Sequence, residues 1–284
     1  MFKSILLLLI AMASIQSGAT LAKRIFPMAG PAGTSSLRLF FATLILWCVF
    51  RPWRTKISRS DLNSLAFYGL SLGLMNLLFY FALERIPLGI AVALEFTGPL
   101  AVAIFSSKRS LDYIWAVTAG LGIYFLMPTA SATDHLDILG MIFAVGAGGF
   151  WALYILFGKK AGGKLPGHVA SSWGMLFAAI VVIPFGLVSS GTALLDPSLL
   201  PIALAVGVFS SALPYTLEMF ALKNIPTATF GVLMSLEPAI ACLAGFVFLR
   251  EKLTLIQMVA ISCIMLSSLG SSLTAVKPIE PPLE

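Results

Sequence analysis

Residues 81–99 read FALERIPLGIAVALEFTGP and residues 220–238 read FALKNIPTATFGVLMSLEP. Laid on each other at an offset of 139, they share seven of nineteen positions, including Phe-Ala-Leu at the start, Ile-Pro in the middle and the final proline. A second offset of 136 sets Lys23-Arg24 on Lys159-Lys160, Ser35-Ser36 on Ser171-Ser172 and Phe41-Ala42 on Phe177-Ala178. The chain thus reads as one unit written twice, residues 1–134 and residues 135–284, the second ending in a short tail.

Composition says what kind of unit this is. With 284 residues, 59% of them hydrophobic and 11% charged, and a mean hydropathy of +0.99, the sequence lies far outside the range of soluble domains. A bilayer span needs about 17–25 apolar residues in a helix that satisfies its own backbone groups. Such runs fall near 4–22, 33–50, 64–83, 87–106, 112–127, 138–157, 168–188, 199–221, 226–249 and 254–275. The expected fold is all-α, ten transmembrane helices in two five-helix repeats. An odd number of spans per half inserts the second half upside down, and transporters of that build place substrate near the midplane between the halves. The opening MFKSILLLLIAMASIQSGA imitates a secretory signal. As the counterpart of the sixth span, it is expected to stay as the first.

With the N-terminus inside, the cytoplasmic segments carry twelve basic residues: Lys3, Arg51, Arg54, Lys56, Arg59, Lys108, Arg109, Lys159, Lys160, Lys164, Lys223 and Lys277. The outer segments carry five, Lys23, Arg24, Arg85, Arg250 and Lys252. Basic residues in short loops stay on the cytoplasmic side, so both termini are expected there. The loops around Arg54 and Lys160 then face inward and those around Ala130 and Gly191 outward. The net charge of +6 is a matter of topology rather than of a nucleic-acid partner.

No enzyme, metal or cofactor chemistry is legible. Cys48, Cys242 and Cys263 are odd in number, sit in apolar runs and lack metal-ligand spacing. His135 and His168 lie at loops or span ends, and GAGGFW at 146–151 reads as a glycine-rich helix instead of a phosphate loop.

Four ionisable residues fall inside spans: Arg38, Glu95, Glu218 and Glu237. A charge at the centre of a membrane helix costs about 2.5–3.5 kcal/mol on insertion scales, so each is either functional or bonded to a neighbouring helix. In repeat register Glu237 matches Gly98, one helical turn from Glu95, which places the two carboxylates on similar faces of the fourth and ninth spans. Pro99 and Pro238 are matched, lack an amide hydrogen and free the carbonyls of Glu95 and Met234. Both are expected to kink their helices. Arg38, about one turn from the outer end of its span, either snorkels to the surface or holds a carboxylate by a bidentate pair. Gly69, Gly73, Asn76 and Tyr80 form one stripe of the third span. The glycines admit close helix approach, while Asn76 and Tyr80 hydrogen-bond either a substrate or an adjacent helix. Gln16, Trp151, Tyr154 and Tyr215 are further polar or aromatic candidates.

The stretches AMASIQSGATLAK, FYGLSLGLMN, IPLGIAVALEFTGPLAVAIFSSKR, ALPYTLEMFAL and FGVLMSLEPAIA resemble the EamA-type members of the drug/metabolite transporter superfamily, over almost the whole chain. The resemblance implies a multi-pass protein of the bacterial inner membrane that exports small zwitterionic amino acids, of the threonine and homoserine type. Without a nucleotide-binding domain, energy comes from an ion gradient or the substrate gradient. A Glu95 that exchanges a proton for the substrate ammonium gives proton antiport. Another small metabolite or drug carried on the same fold, or a membrane protein that transports nothing, are the alternatives, and oligomeric state stays open.

Overall fold

The fold is given by a computed structural model that describes residues 2–106, 111–126, 137–162, 165–214, 217 and 233–274. Its helices run α1 (Phe2–Phe50), α2 (Arg59–Arg85), α3 (Leu88–Glu95), α4 (Thr97–Ser106), α5 (Leu111–Leu126), α6 (Ile138–Gly162), α7 (Gly167–Ser190), α8 (Leu200–Gly207), α9 (Glu237–Ala244) and α10 (Leu255–Thr274). Wider π-helical turns, Val208–Ala212 and Gly245–Leu249, extend α8 and α9. Four described stretches, Ser4–Phe50, Arg59–Arg85, Ile138–Gly158 and Gly167–Leu195, are long and apolar enough to cross a membrane. Large apolar side chains cover the outside, Phe105 at 88% and Val188 at 90% exposure among them. Water penalises such a surface and lipid does not. The chain is an all-α polytopic membrane protein.

One expectation needs correcting. Lys23 and Arg24 were expected in an outer loop between spans, whereas helix continues past them to Gly30. The stop there is conformational: Gly30 has φ 61° and ψ 170°, a backbone region open essentially to glycine alone. Pro27 and Pro31 flank it. Thr34 Oγ1 donates to the Gly30 carbonyl at 2.7 Å and Ser190 Oγ to the Ala29 carbonyl at 2.5 Å, so the bend keeps its polar groups satisfied. Helix α1 is therefore two arms, 2–29 and 31–50, running in different directions.

The fourth span also breaks. Helix stops at Phe96 between α3 and α4, and a turn at Ser235–Leu236 precedes α9. Positions 96 and 235 correspond in the 139 register, each three residues before its proline. Every residue of α3 is buried.

Between helices in lipid there is little hydrophobic drive, so small residues and backbone contact carry the packing. A Cβ on Gly69 or Gly73 would run into α7 at Gly174, Phe177 and Ala178, which accounts for half of the stripe on α2. A Cβ on Gly98 would strike the Gly148 carbonyl, and one on Gly148 would lie 2.5 Å from the Glu95 carbonyl oxygen. The glycine-rich run of α6 is thus where the broken fourth span seats backbone on backbone.

At one end of the bundle, Glu251 ties three elements. Its Oε1 meets Lys23 Nζ at 2.7 Å, its Oε2 accepts from the Leu88 amide at the start of α3 at 2.8 Å, and its own amide donates to the Gly245 carbonyl at 3.1 Å. Arg24 Nη2 reaches the Phe248 carbonyl at 3.4 Å. Nearby in sequence to this end of α3, Arg85 pairs with Asp137 at 2.7 Å. The guanidinium that donates to Asp137 holds its carboxyl below the usual aspartate range, assisted by the Leu139 and Gly140 amides.

Candidate functional site

Arg38, on the second arm of α1, is buried and does not snorkel. Its Nε donates to Ser211 Oγ and its Nη2 to the Ser210 carbonyl, both at 2.9 Å. Both acceptors sit in the π-turn after α8. Widening the turn takes backbone groups out of the ordinary i→i−4 ladder, a device that recurs at functional sites. A glycine on each side lets this turn in: Gly18 lies against Ser210, and Gly207 against Phe41 and the Arg38 carbonyl. The guanidinium also lies over the Tyr80 ring, 5.4 Å from its centroid, a cation–π contact. Among the described residues Arg38 forms no ion pair. The groups it touches directly are neutral: a hydroxyl, a backbone carbonyl and an aromatic face.

Glu95 and Glu237 are both buried. Glu95 interacts electrostatically with Glu237 and with Arg38, so the three charges share one region although they come from α3, α9 and α1. Gln16, also buried, donates from Nε2 to Glu237 Oε1 at 3.3 Å. Trp151 packs edge-on against Phe96, the residue at the helix break beside Glu95, with centroids 5.5 Å apart. Tyr80 has no exposed surface. Asn76 is buried too, but its amide donates to the Leu72 carbonyl of its own helix at 2.7 Å. Tyr154 stacks on Tyr68, with hydroxyls 3.1 Å apart. Glu218 and Tyr215 lie outside the described residues.

The sequence pattern of the EamA-like transporter family matches residues 138–273. The threonine/homoserine exporter RhtA of Salmonella typhimurium is 54% identical over 270 residues, which cover 95% of this chain and 91% of that one. This chain belongs to the EamA-like transporter family. The threonine/homoserine exporter RhtA of Escherichia coli is 51% identical over 273 residues, 96% of this chain and 92% of that one. A solved crystal structure only 16% identical covers 95% of this chain and 99% of its own with a TM-score of 0.61. That likeness shows the fold.

One guanidinium and two carboxylates, drawn from three helices, are thus buried in the interior of the bundle. Residues that the sequence reading did not single out complete the surroundings: Ser210 and Ser211 accept from Arg38, and Phe26 lies 5.6 Å from the Tyr80 ring. The signal for the serines was a polar pair inside the apolar run VFSSA. It is weak, because serine is at home in any membrane helix interface.

Proposed function

We propose that this protein exports small zwitterionic amino acids, threonine and homoserine foremost, across the bacterial inner membrane by alternating access with proton antiport. One observation carries the reading: Arg38, Glu95 and Glu237, far apart in sequence, share one buried region. The relatives that cover nine-tenths of their length with this chain are named as threonine/homoserine exporters, which supports the choice of substrate. In this scheme Arg38 receives the substrate carboxylate, and Glu95 with Glu237 receives its ammonium group. Glu95 carries a proton when the site is empty and gives it up when the ammonium arrives.

Two inverted five-helix repeats, 1–134 and 135–284, supply the two halves that rock. The reading is supported by helix breaks at the matched positions 96 and 235. It also accounts for the placement of the carboxylates. Glu95 ends α3, at the negative pole of its dipole, whereas Glu237 begins α9, at the positive pole. Helix dipoles favour a carboxylate at an N-terminus and disfavour one at a C-terminus, typically by about 0.3–1 kcal/mol. Glu237 is then the standing anion and Glu95 the group that cycles. Both termini are cytoplasmic in this scheme.

Inverted membrane vesicles offered a panel of labelled amino acids test it. Accumulation of threonine and homoserine, driven by an imposed pH gradient and collapsed by a protonophore, is the expected result. No movement of any amino acid in protein of verified insertion would overturn the reading.

A further inference from the structure

Among the described residues, Tyr80 stands out for a fully buried ring whose hydroxyl has no hydrogen-bond partner. The side chain has no exposed surface, its ring lies under the Arg38 guanidinium at 5.4 Å, and Phe26 and Phe79 flank it with centroids at 5.6 and 6.4 Å. Its Oη, although buried, makes no hydrogen bond. Buried phenol oxygens normally find a partner, because a donor removed from water and left unbonded destabilises the fold. The neighbouring polar group, Asn76 one turn earlier, donates to the Leu72 carbonyl and makes no hydrogen bond to Oη. Lipid contact is not the reason either, since the residue is fully enclosed.

We infer that Tyr80 is the residue that recognises the side-chain hydroxyl of the substrate, through a hydrogen bond to its Oη. This rests on the proposed amino-acid site, which it deepens. The ring itself lies 5.4 Å from Arg38, the group assigned to the substrate carboxylate. A phenol both donates and accepts, and it rotates about its C–O bond, so it can serve a hydroxyl on either the β or the γ carbon. Sites built to bond a hydroxyl reject analogues that lack it, because a buried polar group is then left unpaired.

The analogue that decides the matter is 2-aminobutyrate, which is both threonine and homoserine without the hydroxyl. Uptake of labelled threonine into inverted vesicles is measured against unlabelled threonine, homoserine and 2-aminobutyrate, for the unchanged protein and for Tyr80→Phe. The unchanged protein is expected to bind threonine and homoserine about tenfold or more better than 2-aminobutyrate, the usual effect of one lost hydrogen bond in a closed site. Tyr80→Phe should bring that ratio close to one by weakening the hydroxylated substrates alone. Thermal unfolding in detergent supplies a second readout. Because Oη bonds none of the described residues, Tyr80→Phe should melt at the same temperature or higher, whereas a structural hydroxyl would lower it. Discrimination that survives Tyr80→Phe overturns the inference and leaves amino-acid export standing. A melting temperature that falls with discrimination unchanged assigns the hydroxyl a structural role and also overturns it. If unlabelled threonine itself fails to compete in the unchanged protein, the export reading falls and the inference with it.

Discussion

Glu95 is the last residue of α3 and Glu237 the first of α9, so two buried carboxylates that influence each other electrostatically stand at opposite poles of two half-helices. Their roles in transport are therefore expected to differ. Glu95→Gln should insert and fold normally, because the amide resembles the protonated acid, and should lose pH-driven transport by more than about tenfold (roughly 1.4 kcal/mol). Glu237→Gln should lose less. Uptake under an imposed pH gradient measures both, and full proton-driven activity in Glu95→Gln would falsify the assignment of the coupling site.

Arg38 offers a planar fork that its serine partners hold in place. Lysine keeps the charge but cannot donate through two fixed nitrogens at once. Arg38→Lys should raise the apparent KM for threonine by about tenfold, the effect of losing one charge-assisted bond, with expression unchanged. Unaltered KM would mean that the guanidinium serves only the π-turn.

Where α3 and α4 meet α6 the contact is backbone on backbone. Gly148→Ala would set a methyl 2.5 Å from the Glu95 carbonyl oxygen, an overpacking that costs about 1–3 kcal/mol. Gly149 has nothing within 4 Å of its would-be Cβ, so Gly149→Ala is the control and should be neutral or stabilising. Melting temperatures in one detergent compare them; equal values would mean that the contact is looser than described.

The Arg85–Asp137 pair should leave a signature in acid. Asp137 is held below the ordinary aspartate value by Arg85, so the folded state binds this proton more weakly than the unfolded chain. The pair's contribution is present above the unfolded value of about 3.9 and fades as pH falls through the lower folded value. Asp137→Asn should melt slightly below the unchanged protein at neutral pH, and the gap should close on acidification. A gap independent of pH would assign the aspartate an effect other than its charge.

Orientation is testable without any transport. Arg54→Cys and Gly191→Cys, each placed in a background lacking Cys48, Cys242 and Cys263, should divide: an impermeant thiol reagent added to intact cells labels the second and not the first. The reverse pattern would turn the protein over in the membrane.

The apolar runs and the charges within them were legible from sequence because lipid leaves few choices: a span must be long and apolar, and a charge inside one needs a reason. Arg38, Glu95 and Glu237 were found that way and share one buried region with Gln16, a polar candidate of the same kind of run. The loop expected at Lys23 and Arg24 was misplaced because their charges were read without partners. Lys23 finds Glu251, 228 residues away, and Arg24 finds the Phe248 carbonyl, distances along the chain that no local pattern encodes. Asn76 illustrates the converse. It shares a stripe with Tyr80, yet Asn76 bonds its own helix while the Tyr80 hydroxyl bonds none of the described residues, a difference that sequence spacing does not encode. The π-turn was invisible for a similar reason: VFSSA is an ordinary apolar helix until Arg38 arrives from another element.

The carboxylate of Glu251 reduces the freedom of the end of the bundle where it sits. Lys23, the head of α3 and the Gly245–Glu251 segment could otherwise shift one at a time, three variables with three separate equilibria. Sharing one side chain couples them: displacing any of them strains or breaks a bond of that carboxylate to at least one of the others. An aspartate, shorter by one methylene, could keep at most part of that triangle. A shift at this end therefore carries a cost shared among segments that lie far apart in the sequence.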